Sequence, residues 1–214
     1  MSRLIDVGLE QLAQTIVRMG ELAYKAVATS LHGYIEGAST LQEVQDLSDT
    51  LEVIGNEAEN KIFELIVRYQ PVATDLRILK SYLKIAYDFA RHGRYALDVS
   101  QIYERLDGAK ECEKWIHESI KQMSDKVLSM VRTSVNSLKS HDIELAKTLS
   151  ETEQQVDEMY FKHLDNLAEK GPATNRCTVS SVLVVRYLER IADHATYTAE
   201  SVVYIATGEK ITLR

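Results

Sequence analysis

Apolar residues return at three- and four-residue steps through most of this chain, with charged and polar residues between them. Leu9, Leu12, Ile16, Met19 and Ala23 mark one such stripe, and Val127, Met130, Val131, Val135 and Leu138 mark another. That period belongs to amphipathic helices, and no sustained strand-type alternation interrupts it. The pattern predicts six helices, at 3–36, 40–69, 72–106, 109–139, 142–170 and 175–207. The breaks between them carry helix-ending chemistry. Gly37-Ala38-Ser39 ends the first helix, with Ser39 or Thr40 placed to cap the second and Glu43 at capping-box distance. Pro71 follows Gln70, Pro172 follows Gly171, and Ser140-His141-Asp142 offers a cap for the fifth helix. Proline cannot continue a helix but suits the start of the next.

Those elements fall into two related halves. Arg18-Met19 through Thr29-Ser30-Leu31 lies over Gln122-Met123 through Thr133-Ser134-Val135, and Leu51-Glu52 over Val156-Asp157. The third helices align Arg91 with Arg190, and each half holds one of the chain's two prolines. Helices near 30 residues are roughly 45 Å long, and short connections force neighbours antiparallel. The expected fold is therefore all-α: two tandem antiparallel three-helix bundles, 1–107 and 108–214, divided at Asp107-Gly108.

Composition narrows the function. Nine glycines and two prolines are too few for the closely spaced turns of a sandwich or barrel. The formal net charge of −7 argues against a nucleic-acid or anionic-membrane binder, since both need a basic face. Cys112 and Cys177 have no second cysteine at metal or redox spacing, so they read as two lone thiols, small buried hydrophobes in a reducing cytoplasm. The N-terminal residues lack an apolar signal region, and no stretch is apolar and long enough to span a membrane.

Carboxylates supply the candidate chemistry. Glu189 and Asp193 stand four residues apart and so share a helix face. Glu153 and Asp157, on the preceding antiparallel helix, have the same spacing, with Glu200 and His194 as auxiliaries. Four converging carboxylates would suit a hard cation such as Mg²⁺, Mn²⁺ or Ca²⁺, or iron in an oxygen-rich site. The competing reading is a solvated acidic face, neutralised internally by Arg186 and Arg190. No histidine has a glutamate three residues before it, which removes ferritin-like dinuclear chemistry. A metal-dependent hydrolase using the same acids is the alternative function, but no nucleophile or general base is tied to them. A bare adaptor bundle is a third reading.

Two segments carry a family likeness: Arg68-Tyr-Gln70-Pro71-Val-Ala-Thr-Asp75-Leu76-Arg77 and Arg186-Tyr-Leu-Glu189-Arg190-Ile-Ala-Asp193-His194-Ala195. With Glu153-x-x-Val156-Asp157 and Tyr204-Ile-Ala-Thr-Gly208, they make the chain resemble the PhoU family of phosphate-signalling regulators over essentially its whole length. The resemblance implies a cytoplasmic protein that touches the ATPase subunit of a phosphate ABC importer and, where one exists, a sensor histidine kinase. It also implies homodimers in some members, and metal ions or clusters held by Glu/Asp-x-x-x-Asp motifs, one set per repeat. Glu189 and Asp193 match that motif, and Glu153 and Asp157 fit the neighbouring acidic positions. The first repeat departs from it. Ala90 and Arg94 replace the acids, so metal is expected only in the second half, and Arg91, His92 and Arg94 become a candidate site for an acidic partner or a phosphate-like anion.

Overall fold

The computed structural model describes residues 3–109, 112–170 and 175–213. Pro172 and Gly171, used above to mark the second half, lie outside those residues. The first half is α1 (Leu4–Glu36), α2 (Leu41–Tyr69) and α3 (Ala73–Leu106). The second half is α4 (Lys114–Ser140), α5 (Ile143–Lys147), α6 (Leu149–Lys170) and α7 (Asn175–Thr207). No strand occurs among the described residues. The architecture is two tandem three-helix bundles, with α5 and α6 together standing where one helix was expected.

That interruption has a local cause. Asp142 caps α5 by accepting a hydrogen bond from the Leu145 N–H at 2.9 Å. One turn later the Thr148 hydroxyl donates to the Leu145 carbonyl at 2.7 Å. Such back-bonding competes with the backbone ladder and bends helices. The cap expected on α2 does not form. Ser39 Oγ donates instead to Glu104, Thr40 Oγ1 meets Ser100 Oγ, and Glu43 pairs with Lys25 at 2.9 Å. The fourth helix starts at Lys114 rather than near 109, because Cys112 is tied elsewhere.

Matched positions of the two halves do matched work. Met19 and Met123 are both buried, as are Leu51 and Val156. Ser30 donates to the Val27 carbonyl at 2.9 Å, and its counterpart Ser134 donates to Val131 at 2.8 Å. One apolar core runs through both bundles, since α3 packs on α7 and α1 on α4. Arg132 of α4 crosses that second seam to Glu21 at 2.6 Å, with its guanidinium 3.6 Å over the Tyr24 ring.

The cysteines overturn one expectation. Cys112 and Cys177 form a disulfide, with their Cα atoms 5.6 Å apart. Sequence spacing missed it because 65 residues separate the pair and only the return of α7 brings them together. The bond closes one end of the molecule. There Tyr34 Oη meets Ser180 Oγ at 2.7 Å, Ser180 donates to the Asp107 carbonyl, and Arg176 pairs with Asp107 at 2.8 Å.

Candidate functional site at the seam of the two repeats

The third helices α3 and α7 pack antiparallel and form the most extensive helix pair in the molecule. Their register is that of the repeat. His92 Nε2 donates to the carbonyl of Ile191, its own counterpart 99 residues on, at 3.0 Å. Tyr95 Oη likewise meets Nε2 of its counterpart His194 at 3.4 Å. Contacts away from this centre come in reciprocal pairs. Asp88 meets His194, and Tyr95 in turn stacks on Tyr187, which occupies the position of Asp88, at 5.8 Å between centroids. Residues touching their own equivalents is the signature of a two-fold axis, here a pseudo-axis passing near His92.

Buried ionisable groups line this axis. Asp88 is buried, with Oδ1 2.8 Å from His194 Nδ1, while its Oδ2 finds no hydrogen-bond partner among the described residues. Burial pushes its carboxyl up to about 8, opposed by nearby Lys84 and reinforced by Glu200. His92 is fully enclosed and held down at about 3 by burial and by His194. The bond to Ile191 fixes the Nε2–H tautomer and leaves Nδ1 without a partner among the described residues.

The acidic set of the second repeat is only partly assembled. Glu189 has its carboxyl raised by burial first, then by Asp193, with Asp157 adding to the effect. Those three acids are therefore close enough to repel one another. Yet Glu189 is already paired to Arg186 at 2.7 Å, and Glu153 is buried within the bundle. Among the described residues no three His, Cys, Asp or Glu side chains stand together as a ligand set. As the side chains lie, the donors have the right chemistry for a hard cation but not a closed geometry. Arg186 would compete with a cation for one Glu189 oxygen, Oε2. The auxiliaries are engaged elsewhere, Glu200 with Lys84 and the Leu213 N–H, and His194 with Asp88.

The basic set of the first repeat is divided by the seam. His92 is interior and uncharged, so it shares no surface with Arg91 and Arg94. Arg91 donates to Tyr95 Oη at 3.3 and 2.9 Å, and its guanidinium lies 4.6 Å from that ring. Its counterpart Arg190 covers the same ring at 5.1 Å. Asp98 sits beneath, its carboxyl raised by burial but restrained by Arg94, Arg91 and Arg190, with Tyr187 hydrogen-bonded to it. Three arginines over one carboxylate leave a locally positive face.

The motif after Pro71 proves to be a clamp. Gln70 ends α2 in the left-handed region at φ 45°, which turns the chain into Pro71. Asp75 accepts both arms of the Arg3 guanidinium, at 2.7 and 3.1 Å. Arg77 lies against Gly208 beyond the end of α7, where an added Cβ would stand 2.6 Å from Nη1. Arg176, at the matching place in the second half, reaches the Arg105 carbonyl and Asp107 at the end of α3. Each third helix thus sends an arginine from its first turns to the far end of the other. Sequence reading found Arg77 but missed Arg176, Asp88 and Lys84, because their roles appear only when α3 and α7 are laid side by side.

Fold and seam together define a class: a pseudo-two-fold pair of three-helix bundles joined through their third helices. The sequence profile of the PhoU domain matches residues 16–103 and again 120–202, and the chain belongs to the PhoU family. It is similar to the phosphate-specific transport system accessory protein PhoU homolog of Clostridium acetobutylicum, with 30% identity across 99% of this chain and 98% of that one. PhoU homolog 1 of Thermotoga maritima shares 28% identity over 86% of this chain and 83% of its own. The crystal structure of PhoU from Pseudomonas aeruginosa superposes with a TM-score of 0.90 over 96% of this chain and 100% of that chain, at 25% identity.

Proposed function

We propose that the chain is a non-enzymatic accessory regulator of phosphate uptake, acting by contact with the ATPase subunit of a phosphate importer and, where present, a sensor histidine kinase. The observation that carries the reading is end-to-end similarity to relatives named as phosphate-specific transport system accessory proteins. No helix among the described residues is long and apolar enough to cross a membrane, which fits a partner that docks on the importer rather than joins it. The test is capture of the purified ATPase subunit from the same organism on immobilised chain. Retention supports the reading; a subunit that passes through unretained, with the chain folded, removes it.

The placement at the cytoplasmic face, a homodimer and a metal belong to the same reading. The disulfide weighs against a reducing compartment, where such bonds are rare. Thiol alkylation of the chain directly in lysed cells decides this, and two blocked thiols would keep the cytoplasmic placement. For the metal, Glu189→Gln with Asp193→Asn is expected to abolish manganese or iron uptake while leaving helix content unchanged. Equal metal content in both proteins, measured by elemental analysis after dialysis, counts against the site. Arg91 and Arg94 remain candidates for docking an acidic partner, and Arg94→Ala is expected to weaken capture of the ATPase subunit.

A further inference from the structure

A second basic feature lies farther along the seam from the arginines, toward the start of α3, and sequence patterning did not single it out. Lys80 and Lys84 of α3, Tyr204 of α7, and Lys210 and Ile211 of the C-terminal tail surround a cavity of about 300 Å³, floored by Ser81 and Ser201. The tail is folded back onto the bundle. It turns at Gly208 with φ 79°, and Leu213 is buried while its N–H donates to Glu200 Oε1 at 3.1 Å. Lys210 is thereby carried across the cavity from the two α3 lysines.

Charge in the cavity is out of balance. Among the described lining residues the one carboxylate is Glu200, one oxygen of which is taken by the tail and the other by Lys84 at 3.7 Å. Lys84 also lies 5.1 Å from the Tyr197 ring. Lys80 has a ring neighbour, Tyr204 at 5.8 Å, and neither Lys80 nor Lys210 has an ion-pair partner among the described residues. Glu52 and Glu59 line the groove on the other side of Lys80 and Lys84 but form no ion pair with them among the described residues. Arg77, one turn before Ser81, adds a fourth cation nearby, with a buried Nε that finds no hydrogen-bond partner among the described residues. Ser81 and Ser201 donate to the backbone at Arg77 and Tyr197, so the donors left to face a ligand are ammonium groups and the Tyr204 hydroxyl. Three lysines against one half-neutralised acid, in a chain of net charge −7, form a local positive well.

We propose that this cavity binds a phosphate-bearing anion, either orthophosphate or a short linear oligophosphate. Point-charge ammonium donors on flexible stems suit phosphate oxygens without requiring one fixed planar geometry. An anion there bridges α3 of the first repeat to the tail that follows the second, and so locks the strap onto the seam. The cavity would hold the same anion whether or not the chain contacts an importer, so its test is independent of capture by the ATPase subunit.

The experiment is isothermal titration calorimetry at constant ionic strength, with orthophosphate, tripolyphosphate and sulfate as three separate probes. Wild type is compared with Lys80→Gln/Lys210→Gln and with Lys139→Gln/Lys162→Gln, a control of equal charge change on other faces. Saturable binding of orthophosphate or tripolyphosphate, weakened about tenfold or more in the first variant and unchanged in the control, supports the site. The probe that saturates first names the ligand. No saturable heat with either phosphate, equal binding of sulfate, or equal loss in both variants overturns it. Each variant's helix content and urea midpoint are measured alongside, so a folding defect is not mistaken for a lost site.

Discussion

Consider a stability titration of the wild-type chain and of Asp88→Asn. Three buried groups on the inner faces of the bundles change protonation on unfolding, and they do so in opposite senses. His92 is held at about 3 and His163 at about 4, both by burial, against an ordinary value of about 6.5 in the unfolded chain. Below pH 6.5 the unfolded chain therefore binds two protons that the folded one refuses. Asp88 does the reverse: raised from 3.8 to about 8, it keeps a proton in the folded chain that the unfolded chain has lost. Each proton of difference tilts stability by about 1.4 kcal/mol per pH unit.

The balance sets a turning point. Counting these three groups alone, between pH 4 and 6.5 the unfolded chain binds one proton more, so they lower stability by about 1.4 kcal/mol per unit of acidification. Between pH 6.5 and 8 only Asp88 differs, and stability falls by a similar slope as pH rises. The optimum lies near 6.5. Asparagine keeps a donor for His194 Nδ1 but has no proton to lose. In Asp88→Asn the alkaline limb should therefore vanish and the acid limb should steepen to about 2.7 kcal/mol per unit. Urea unfolding followed by circular dichroism from pH 5 to 8.5 measures both limbs and stays above the range where surface carboxylates titrate. Glu189 and Asp98 shift in the same direction as Asp88, but they are common to both proteins and cancel in the difference. If Asp88 were instead ionised against a cationic His194, removing it would cost about 3 kcal/mol or more at neutral pH and leave the alkaline limb in place. That result would refute the reasoning.

Other perturbations test other parts of the fold. Reducing Cys112–Cys177, or replacing both with serine, opens a loop of 65 residues, and chain-entropy arithmetic puts the loss at about 4 kcal/mol. An unchanged urea midpoint after reduction would show that the bond constrains nothing. Gly108→Ala drives a methyl into the Tyr34 backbone carbonyl, which cannot swing aside as a side chain can, and should cost about 1–3 kcal/mol. Gly55→Ala meets only Met19 Cε at 3.4 Å and should gain up to about 1 kcal/mol from helix propensity. Thermal melts that rank the two alanines in the opposite order would contradict the packing described. Phe89→Ala empties a fully buried site between the bundles and is expected to cost about 3–5 kcal/mol, read as a lower urea midpoint.

Local signals gave the helices and the duplication, because period, proline and capping chemistry act over a few residues. Asp142 was legible as a cap, and the Ser30 and Ser134 match was legible as a repeat. Features that depend on distant segments meeting were not legible. The disulfide needs α7 to return beside the linker before α4, and Thr148 bends its helix through a bond that helical spacing does not reveal. For the candidate site, period put Glu189 with Asp193 and Glu153 with Asp157 on shared helix faces; in the structure Asp193 and Asp157 both raise the Glu189 carboxyl, while Glu153 is buried. Period could not say that Arg186 already occupies Glu189, nor that His92, read as part of a basic surface, points into the interior.

The pseudo-axis explains how one fold can carry an acidic face and a basic one. In a homodimer with a true two-fold axis, every contact occurs twice with the same residues, so a substitution changes both sides at once. Here the two sides are written separately in one chain. The contact made once by Asp88 with His194 is made on the other side by Tyr95 with Tyr187. Arg77 and Arg176 preserve the shared clamp at both ends, so the frame stays symmetric while its faces diverge. Ala90 and Arg94 in place of Glu189 and Asp193 are then a change made to one face only, possible because the clamps and the apolar core do not pass through those positions. The lysines follow the same logic. Val179 and Leu183 stand in the second half where Lys80 and Lys84 stand in the first, so the lysine pair that lines the cavity has no cationic counterpart in the second repeat.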